Sequence, residues 1–298
     1  MNIHHLESFV RIVELKSFTK AASELGLTQP TVSKQIVDLE QFFQVRLIDR
    51  TKRSLALTRA GEILFKYAKD FISLKRDTVD AMASFRGLKS GSLRLGASSI
   101  PGVYILPPIL KAFKAQYGGV DLSLVLSDSQ DIAGRVENGD VDIGFVGSRE
   151  ETKKIVYRPF LEDSIIFIAP LDFPEVIETR DIAKYPLLVR EPGSGTRKCF
   201  ETALLKRHLK PEELHVVGEL GDTEAIKAAV REGMGISYIS NRAVKEELDR
   251  GLLKVLSVKG FSGVRRSFYI ITKEGRSTSP QTEALLRIVK EWRHHEQK

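Results

Sequence analysis

Cysteine is almost absent from this 298-residue chain. Its single copy, Cys199, excludes an intrachain disulfide and any multi-cysteine zinc or iron–sulfur site. That usage suits a reducing cytoplasm, the expected location. Long apolar runs are missing too. The longest, residues 165–169, is far short of a membrane span, and the opening MNIHHLESF lacks the basic and apolar regions of a signal peptide. No membrane-spanning segment is therefore expected. What is present is ordinary for a globular protein, with 42% hydrophobic and 29% charged residues. The length suggests two or three domains.

The charge is unevenly spread. The chain carries +7, and residues 1–89 hold 15 basic against 10 acidic side chains, while the remainder holds 31 against 29. A basic N-terminal module suggests a polyanionic partner, either nucleic acid or an anionic membrane. Charge alone does not separate the two.

Local pattern does. Leu6, Phe9, Val10 and Val13 follow helical spacing over residues 3–15. Ser17 or Thr19 can cap a short second helix that turns Ala21, Ala22 and Leu25 inward. Gly26 ends it in a left-handed conformation. Thr28 caps a third helix with Pro30 in its first turn and Val32, Ile36 and Leu39 as its buried stripe. Two short helices joined by a glycine turn form a helix-turn-helix. The polar face of the third carries Gln29, Thr31, Ser33, Lys34 and Gln35, groups that can bond base edges and phosphates. Residues 46–58 read as a β-hairpin wing, with Arg50, Lys52 and Arg53 at its cationic tip placed to grip phosphates. The candidate DNA-contacting set is thus Ser17, Thr19, Thr28, Gln29, Pro30, Thr31, Ser33, Lys34, Gln35, Arg50, Lys52 and Arg53.

These residues carry a family resemblance. The run Ser17-Phe18-Thr19-Lys20-Ala21-Ala22, then Leu25, residues 28–36, Leu39-Glu40, Arg50, Arg53 and Leu57-Thr58-Arg59-Ala60-Gly61 resembles the N-terminal signature of the LysR-type transcriptional regulators. Two departures stand out. The family usually has Leu-Gly where this chain has Phe43-Gln44, and Leu-Phe where it has Leu47-Ile48. Both change packing around the wing and leave the reading residues untouched.

Thr58 can cap a long helix running to about Lys89. Leu64, Tyr67, Phe71, Leu74, Thr78, Ala81, Phe85 and Leu88 recur at alternating spacings of three and four, an a/d seam. Leu64, Tyr67, Phe71, Leu74, Ala81 and Phe85 are the candidate dimerisation residues. The resemblance implies that this linker helix pairs two subunits on two half-sites of promoter DNA, within a homotetramer that contacts RNA polymerase.

The remaining two thirds alternate β and α segments, among them strands over 164–169 and 214–217 and a helix over 195–208, which argues for a mostly parallel sheet. The resemblance implies two lobes like a type-2 periplasmic binding protein. The expected layout is a winged helix-turn-helix (1–60), a linker helix (61–89) and an effector domain (90–298). Within the last, lobe I spans about 90–161 and 266–298, and lobe II about 162–265. Small polar residues gather where strands end and helices begin: Ser98-Ser99, residues 127–130, residues 193–197 and residues 221–223. With Arg197, such segments make an anion site. The candidate effector-binding residues are Ser98, Ser99, Ser129, Gln130, Gly147, Ser194, Thr196 and Thr223. A small anionic metabolite is the expected co-inducer. The octapeptide 190–197 is similar to members governing sulfur assimilation or carbon fixation and does not choose between them.

An enzyme needs a constellation that this sequence lacks. There is no P-loop, no complete dinucleotide fingerprint around Gly233-Met234-Gly235, no GxSxG and no HExxH. No cofactor is expected. His4-His5 and His294-His295 read as solvated termini. Cys199 follows Arg197 in a predicted helix, where a cation and the helix N-terminus could lower its pKa. Packing is its default role, because peroxide-sensing members of the family use a cysteine pair. Two other classes compete with a regulator. A solute-binding protein would explain only residues 92–298, and a structural DNA binder has no use for a large sensor.

Overall fold

The structure, a computed structural model, describes residues 2–49, 55–84, 90–150, 152–261 and 264–296. The chain divides into two compact units, Met1–Phe85 and Arg86–Lys298. No helix among the described residues is long and apolar enough to cross a membrane.

Unit 1 begins with α1 (Ile3–Leu15), α2 (Phe18–Glu24) and α3 (Gln29–Phe43). Each start is a local side-chain event. Asn2, Ser17 and Thr28 accept hydrogen bonds from the backbone N–H groups of His4, Lys20 and Thr31. Gly26, at φ 66°, ends α2. Its N–H bonds to the Ser23 carbonyl and that of Leu27 to Ala22, so both orphan carbonyls are satisfied. The tight turn aims α3 away from α2, and Leu6, Phe9, Ile12, Ala21, Val32, Ile36 and Leu39 meet in one dry core. The wing follows as β1 (Ile48–Asp49) paired antiparallel with β2 (Ala56–Leu57).

One buried carboxylate holds the wing to α3. Glu40 Oε1 accepts from the N–H groups of Leu47 (2.9 Å) and Ile48 (3.4 Å), and Oε2 pairs with Arg46. Thr58 closes the other side. Its hydroxyl donates to the Arg46 carbonyl (2.6 Å) and accepts from the Gly61 N–H that opens α4 (Arg59–Ser84). Gly61 has to be glycine, since a Cβ there would lie 2.1 Å from the Leu47 carbonyl oxygen. Gln44, where the family usually has glycine, sits at φ 55° and bears the strain of a side chain in left-handed backbone.

Unit 2 winds the same βαβαβ path twice. The first pass is β3 (Gly91–Ser98), α5 (Leu106–Gln116), β4 (Val120–Ser127), α6 (Ser129–Asn138) and β5 (Ile143–Val146). The chain then crosses on β6 (Ile155–Ala169) and adds the short β7 (Val176–Glu178). The second pass is β8 (Leu187–Arg190), α7 (Gly195–Leu205), β9 (Val216–Leu220), α8 (Thr223–Arg231) and β10 (Ile236–Ser240). After α9 (Lys245–Asp249) and β11 (Lys254–Lys259), β12 (Val264–Lys273) returns, and α10 (Pro280–Glu296) packs back on the first lobe. The sheet order is β4-β3-β5-β12-β6-β10-β8-β9. Each trio is parallel inside and meets a crossover strand antiparallel.

The structure bears out the parallel pairing expected within each lobe and adds two crossover strands that run against their neighbours. It also lengthens β6 well beyond the expected 164–169. Pro159, which has no N–H to donate, is accommodated at a register shift where Tyr269 faces Pro159 and Phe268 faces Leu161. Strand β9 begins at Val216 instead of Leu214, and α7 stops at Leu205 instead of His208. Strands β7 and β11 and helix α9 were not expected.

Two substitutions test the wing joint with opposite signs. Glu40→Ala leaves two buried N–H groups unpaired and is expected to destabilise unit 1 by about 2–4 kcal/mol. Gln44→Gly relieves the left-handed strain and is expected to stabilise by roughly 0.5–1 kcal/mol. Hydrogen exchange of the α1–α3 amides in the full chain reads both.

Candidate functional site

The first turn of α3 presents its polar face to solvent. Gln29, Pro30, Thr31 and Lys34 are exposed, as is the cap Thr28, and Ser33 is half-buried. Local bonds order this face: Gln29 Nε2 donates to Ser33 Oγ (2.9 Å), and the Thr28 and Thr31 hydroxyls share a 2.7 Å bond. Lys34 lies 3.5 Å from Asp38. Gln35 is different. Its Oε1 accepts from Ser8 Oγ (2.5 Å), so part of this amide ties α3 to α1. On α2, Thr19 is exposed and Ser17 serves as the cap. Arg50, Lys52 and Arg53 lie outside the described residues. A helix N-terminus with exposed amide, hydroxyl and ammonium groups can bond both phosphates and base edges.

Along α4, Tyr67 (55% exposed), Phe71 (50%) and Leu74 (63%) form an apolar stripe open to solvent. Leu64 does not join them as expected. It packs on the helix-turn-helix core beside Phe65, Ala68 and Ile72, and Ile63 takes the exposed position instead. The side chain of Ala81 and all of Phe85 and Leu88 lie outside the described residues.

In unit 2 the carboxyl ends of β3, β5 and β8 converge with the N-termini of α6 and α7. Ser98, Ser99, Ser129, Gly147, Ser194 and Thr196 line one narrow cavity of about 10 Å³, room for roughly one water. Glycine permits this approach. A Cβ on Gly195 would lie 2.7 Å from the Gly147 carbonyl carbon and 2.9 Å from Ser129 Oγ. Ser129 Oγ accepts from the Gly147 N–H (3.2 Å), so α6 and β5 are tied together beneath α7.

Two buried arginines, neither in the expected set, govern the cavity. Arg266 Nε donates to Asp163 Oδ2 (2.8 Å), and Nη1 donates to Thr196 Oγ1 (3.0 Å). Its Nη2 is buried with no hydrogen-bond partner among the described residues. Arg190 reaches across the lobes, donating to Ser99 Oγ (3.0 Å) and Thr223 Oγ1 (2.6 Å), while Glu191 balances its charge. A charged residue facing inward between Val264 and Phe268 on a strand was the signal in the sequence for Arg266. Asp163 was missed because it lies one residue before the strand expected over 164–169.

Three expectations change. Gln130 is exposed and off the cavity. Thr223 is buried but holds Arg190 instead of lining the space, so three of the four polar segments meet there. Arg197 points away, bonded to Glu201 and Glu219. Burial works against its charge, but the two carboxylates outweigh this and hold its pKa above the ordinary value. Cys199 therefore does not gain the activation expected from Arg197. Burial pushes its thiol up, against the opposing pull of Arg266.

Comparison with known proteins decides the family. Residues 3–62 match the family model "Bacterial regulatory helix-turn-helix protein, lysR family", and residues 86–293 match "LysR substrate binding domain". The chain belongs to the LysR family. The activator CmpR of Synechocystis is 36% identical over 95% of this chain and 93% of its own. The regulator CbbR of Rhodospirillum rubrum is 32% identical over 97% and 96%. The regulatory domain of Synechocystis CcmR, solved in complex with 2-PG, is 29% identical at TM-score 0.62, covering 68% of this chain and 97% of that one. CbnR, at 17% identity and TM-score 0.67, shares the fold over 98% of this chain and 99% of its own. This LysR protein is a DNA-binding transcriptional regulator whose activity a small metabolite modulates.

The thiol placement is testable by rate. Thiolate is the reacting form, so a raised pKa means less of it at any given pH. Alkylation of Cys199 by iodoacetamide is expected to be slow at neutral pH, with its midpoint above the ordinary value of about 8.5. A midpoint at or below that value contradicts the burial.

Proposed function

We propose that the effector is a small anion bound between the lobes, contacted by Ser98, Ser99, Ser129, Gly147, Ser194 and Thr196 and charge-matched by Arg266. The observation that carries this is the buried Arg266 guanidinium, with one nitrogen paired to Asp163, one to Thr196 and the third unbonded among the described residues. A buried donor left unpaired costs about 1–3 kcal/mol, and an anionic group placed there recovers it. The hydroxyls of Ser99, Ser129 and Thr196 and the N-terminus of α7 supply further donors. A metabolite larger than water fits only if the lobes part, so binding and lobe movement are linked. The regulatory effect then equals the difference in affinity between the two lobe arrangements.

The DNA is read by α3. Gln29, Thr31, Ser33 and Lys34 enter the major groove, with Thr28, Pro30, Ser17 and Thr19 toward the backbone. Gln35 divides between the groove and Ser8. The wing residues Arg50, Lys52 and Arg53 take phosphates. The division of labour is residues 1–60 for DNA, 61–89 for pairing through the α4 stripe and 90–298 for sensing, with the lobes exchanging along β6 and β12. Two subunits align two headpieces on half-sites, two dimers form a tetramer, and the assembly contacts RNA polymerase in the cytoplasm. It performs no catalysis of its own. The complex of CcmR with 2-PG makes 2-PG the first compound to try, within a panel of sulfate, thiosulfate, acetylated serine, sugar phosphates, carboxylates and nicotinamide nucleotides.

Two experiments test these readings. In gel-shift titrations, Gln29→Ala is expected to cost about 1–3 kcal/mol on the operator and much less on random duplex. Lys34→Ala is expected to weaken both and lower the salt slope by about 1. Unchanged binding in both variants removes α3 from the groove. For the cleft, an effector at about 100 times its Kd adds about 2.7 kcal/mol to stability. A thermal shift that Ser99→Ala and Thr196→Ala leave at its wild-type size places the effector elsewhere.

A further inference from the structure

A second chamber shares Gly147, Gly195 and Arg266 with the effector cavity but is far larger, about 450 Å³. One wall is a single face of α7, where Gly195, Lys198, Cys199, Thr202 and Lys206 recur at helical spacing. Six cations line it: Arg149, Lys198, Lys206, Arg207, Arg265 and Arg266. No carboxylate among the described residues does. Lys198 is balanced from outside by Glu150 (2.8 Å) and Arg266 by Asp163. Arg207 donates to the Ala203 and Gly260 carbonyls over the Phe261 ring. Arg149 stands over the Tyr157 ring. Among the described residues, Arg149, Lys206 and Arg265 appear in no ion pair.

One exposed lysine is a solvated charge and signifies nothing. Several cations converging on one concavity repel each other and concentrate a positive potential there. That arrangement is costly unless an anion is meant to enter. The volume falls in the range of small-molecule pockets, about 300–1,000 Å³. A monoanion would leave most of the charge unmatched, whereas phosphate groups match both the guanidinium forks and the ammonium points.

We propose that this chamber is a second anion site, for a small molecule carrying at least two phosphate-type charges. It is separate from the effector cleft, and the two meet at Arg266. Because both ligands engage one guanidinium, the affinity of each changes with occupancy of the other, reciprocally.

Cys199 lies in the chamber wall and is the sole cysteine of the chain, so it reports occupancy locally. The full-length protein is alkylated with iodoacetamide at about pH 9, where the raised thiol still reacts, with and without inorganic pyrophosphate. At about ten times its Kd, pyrophosphate is expected to slow the reaction roughly tenfold, since only free protein reacts. The double variant Arg149→Ala, Lys206→Ala is expected to lose that protection. Both side chains are exposed, so the fold is not at stake, and an unchanged thermal melt confirms this. Ser99→Ala, in the effector cavity, is expected to keep it. Absence of protection in the wild type overturns the proposal, as does protection that survives in the double variant. Duplex DNA is the second arm: shielding by DNA without shielding by pyrophosphate assigns the phosphates to nucleic acid and also overturns it. The effector reading stands or falls apart from this, on the Ser99→Ala and Thr196→Ala thermal shifts.

Discussion

Asp163 and Arg266 are direct cross-strand partners on β6 and β12, the two strands that carry the chain between the lobes. Both are almost fully buried. Two charges taken from water cost several kcal/mol each, and the pair is tolerable only when the remaining lone pairs and protons are met. Ser240 meets one Asp163 oxygen, and Thr196 meets one Arg266 nitrogen. The pair therefore ties together strands from both crossovers, the end of β10 and the first turn of α7. A slip of one residue would expose Arg266 and bury Arg265 instead, so the pair also pins the register on which the cleft depends.

A buried charge recurs as a fastener in unit 1. Glu40 has the same logic at smaller scale, since its carboxylate receives the first N–H groups of the wing and an arginine caps the outer oxygen. In both units an apolar core supplies the bulk of the cohesion, and one polar group fixes an angle that apolar packing leaves open. In unit 1 that angle sets the wing against α3. In unit 2 it sets α7 against β12, and with it the spacing of the residues that line the cleft.

The parts legible in the sequence were those made by neighbours along the chain. Caps at Ser17 and Thr28 and the left-handed Gly26 are local events, and the helix-turn-helix followed from them. The βαβ alternation of both lobes was legible for the same reason. The errors lie where distant segments meet. Leu64 fits the heptad count, but the packing of the helix-turn-helix core turns it inward and leaves Ile63 exposed. The strand expected over 164–169 in fact begins at Ile155, because pairing with β12 carries it through a register shift at Pro159. Arg197 sits beside Thr196 in the chain and looks like the natural cation of the site, yet Glu201 and Glu219 claim it.

The sequence by itself determined the helix-turn-helix, the βα alternation of the sensor and most of the hydroxyl and glycine residues of its cleft, while its two lobes were implied only by the family resemblance. These rest on spacing of about four residues or fewer, or on strand and helix periods, which a linear chain displays. Only the tertiary structure decided which cations serve the cleft. Arg266 lies 70 residues from Thr196 and 103 from Asp163, and no periodicity links them. Their meeting follows from the antiparallel register of β6 and β12 and from the close approach allowed at Gly147 and Gly195. That is a property of how the two lobes close on each other, and not of any one segment.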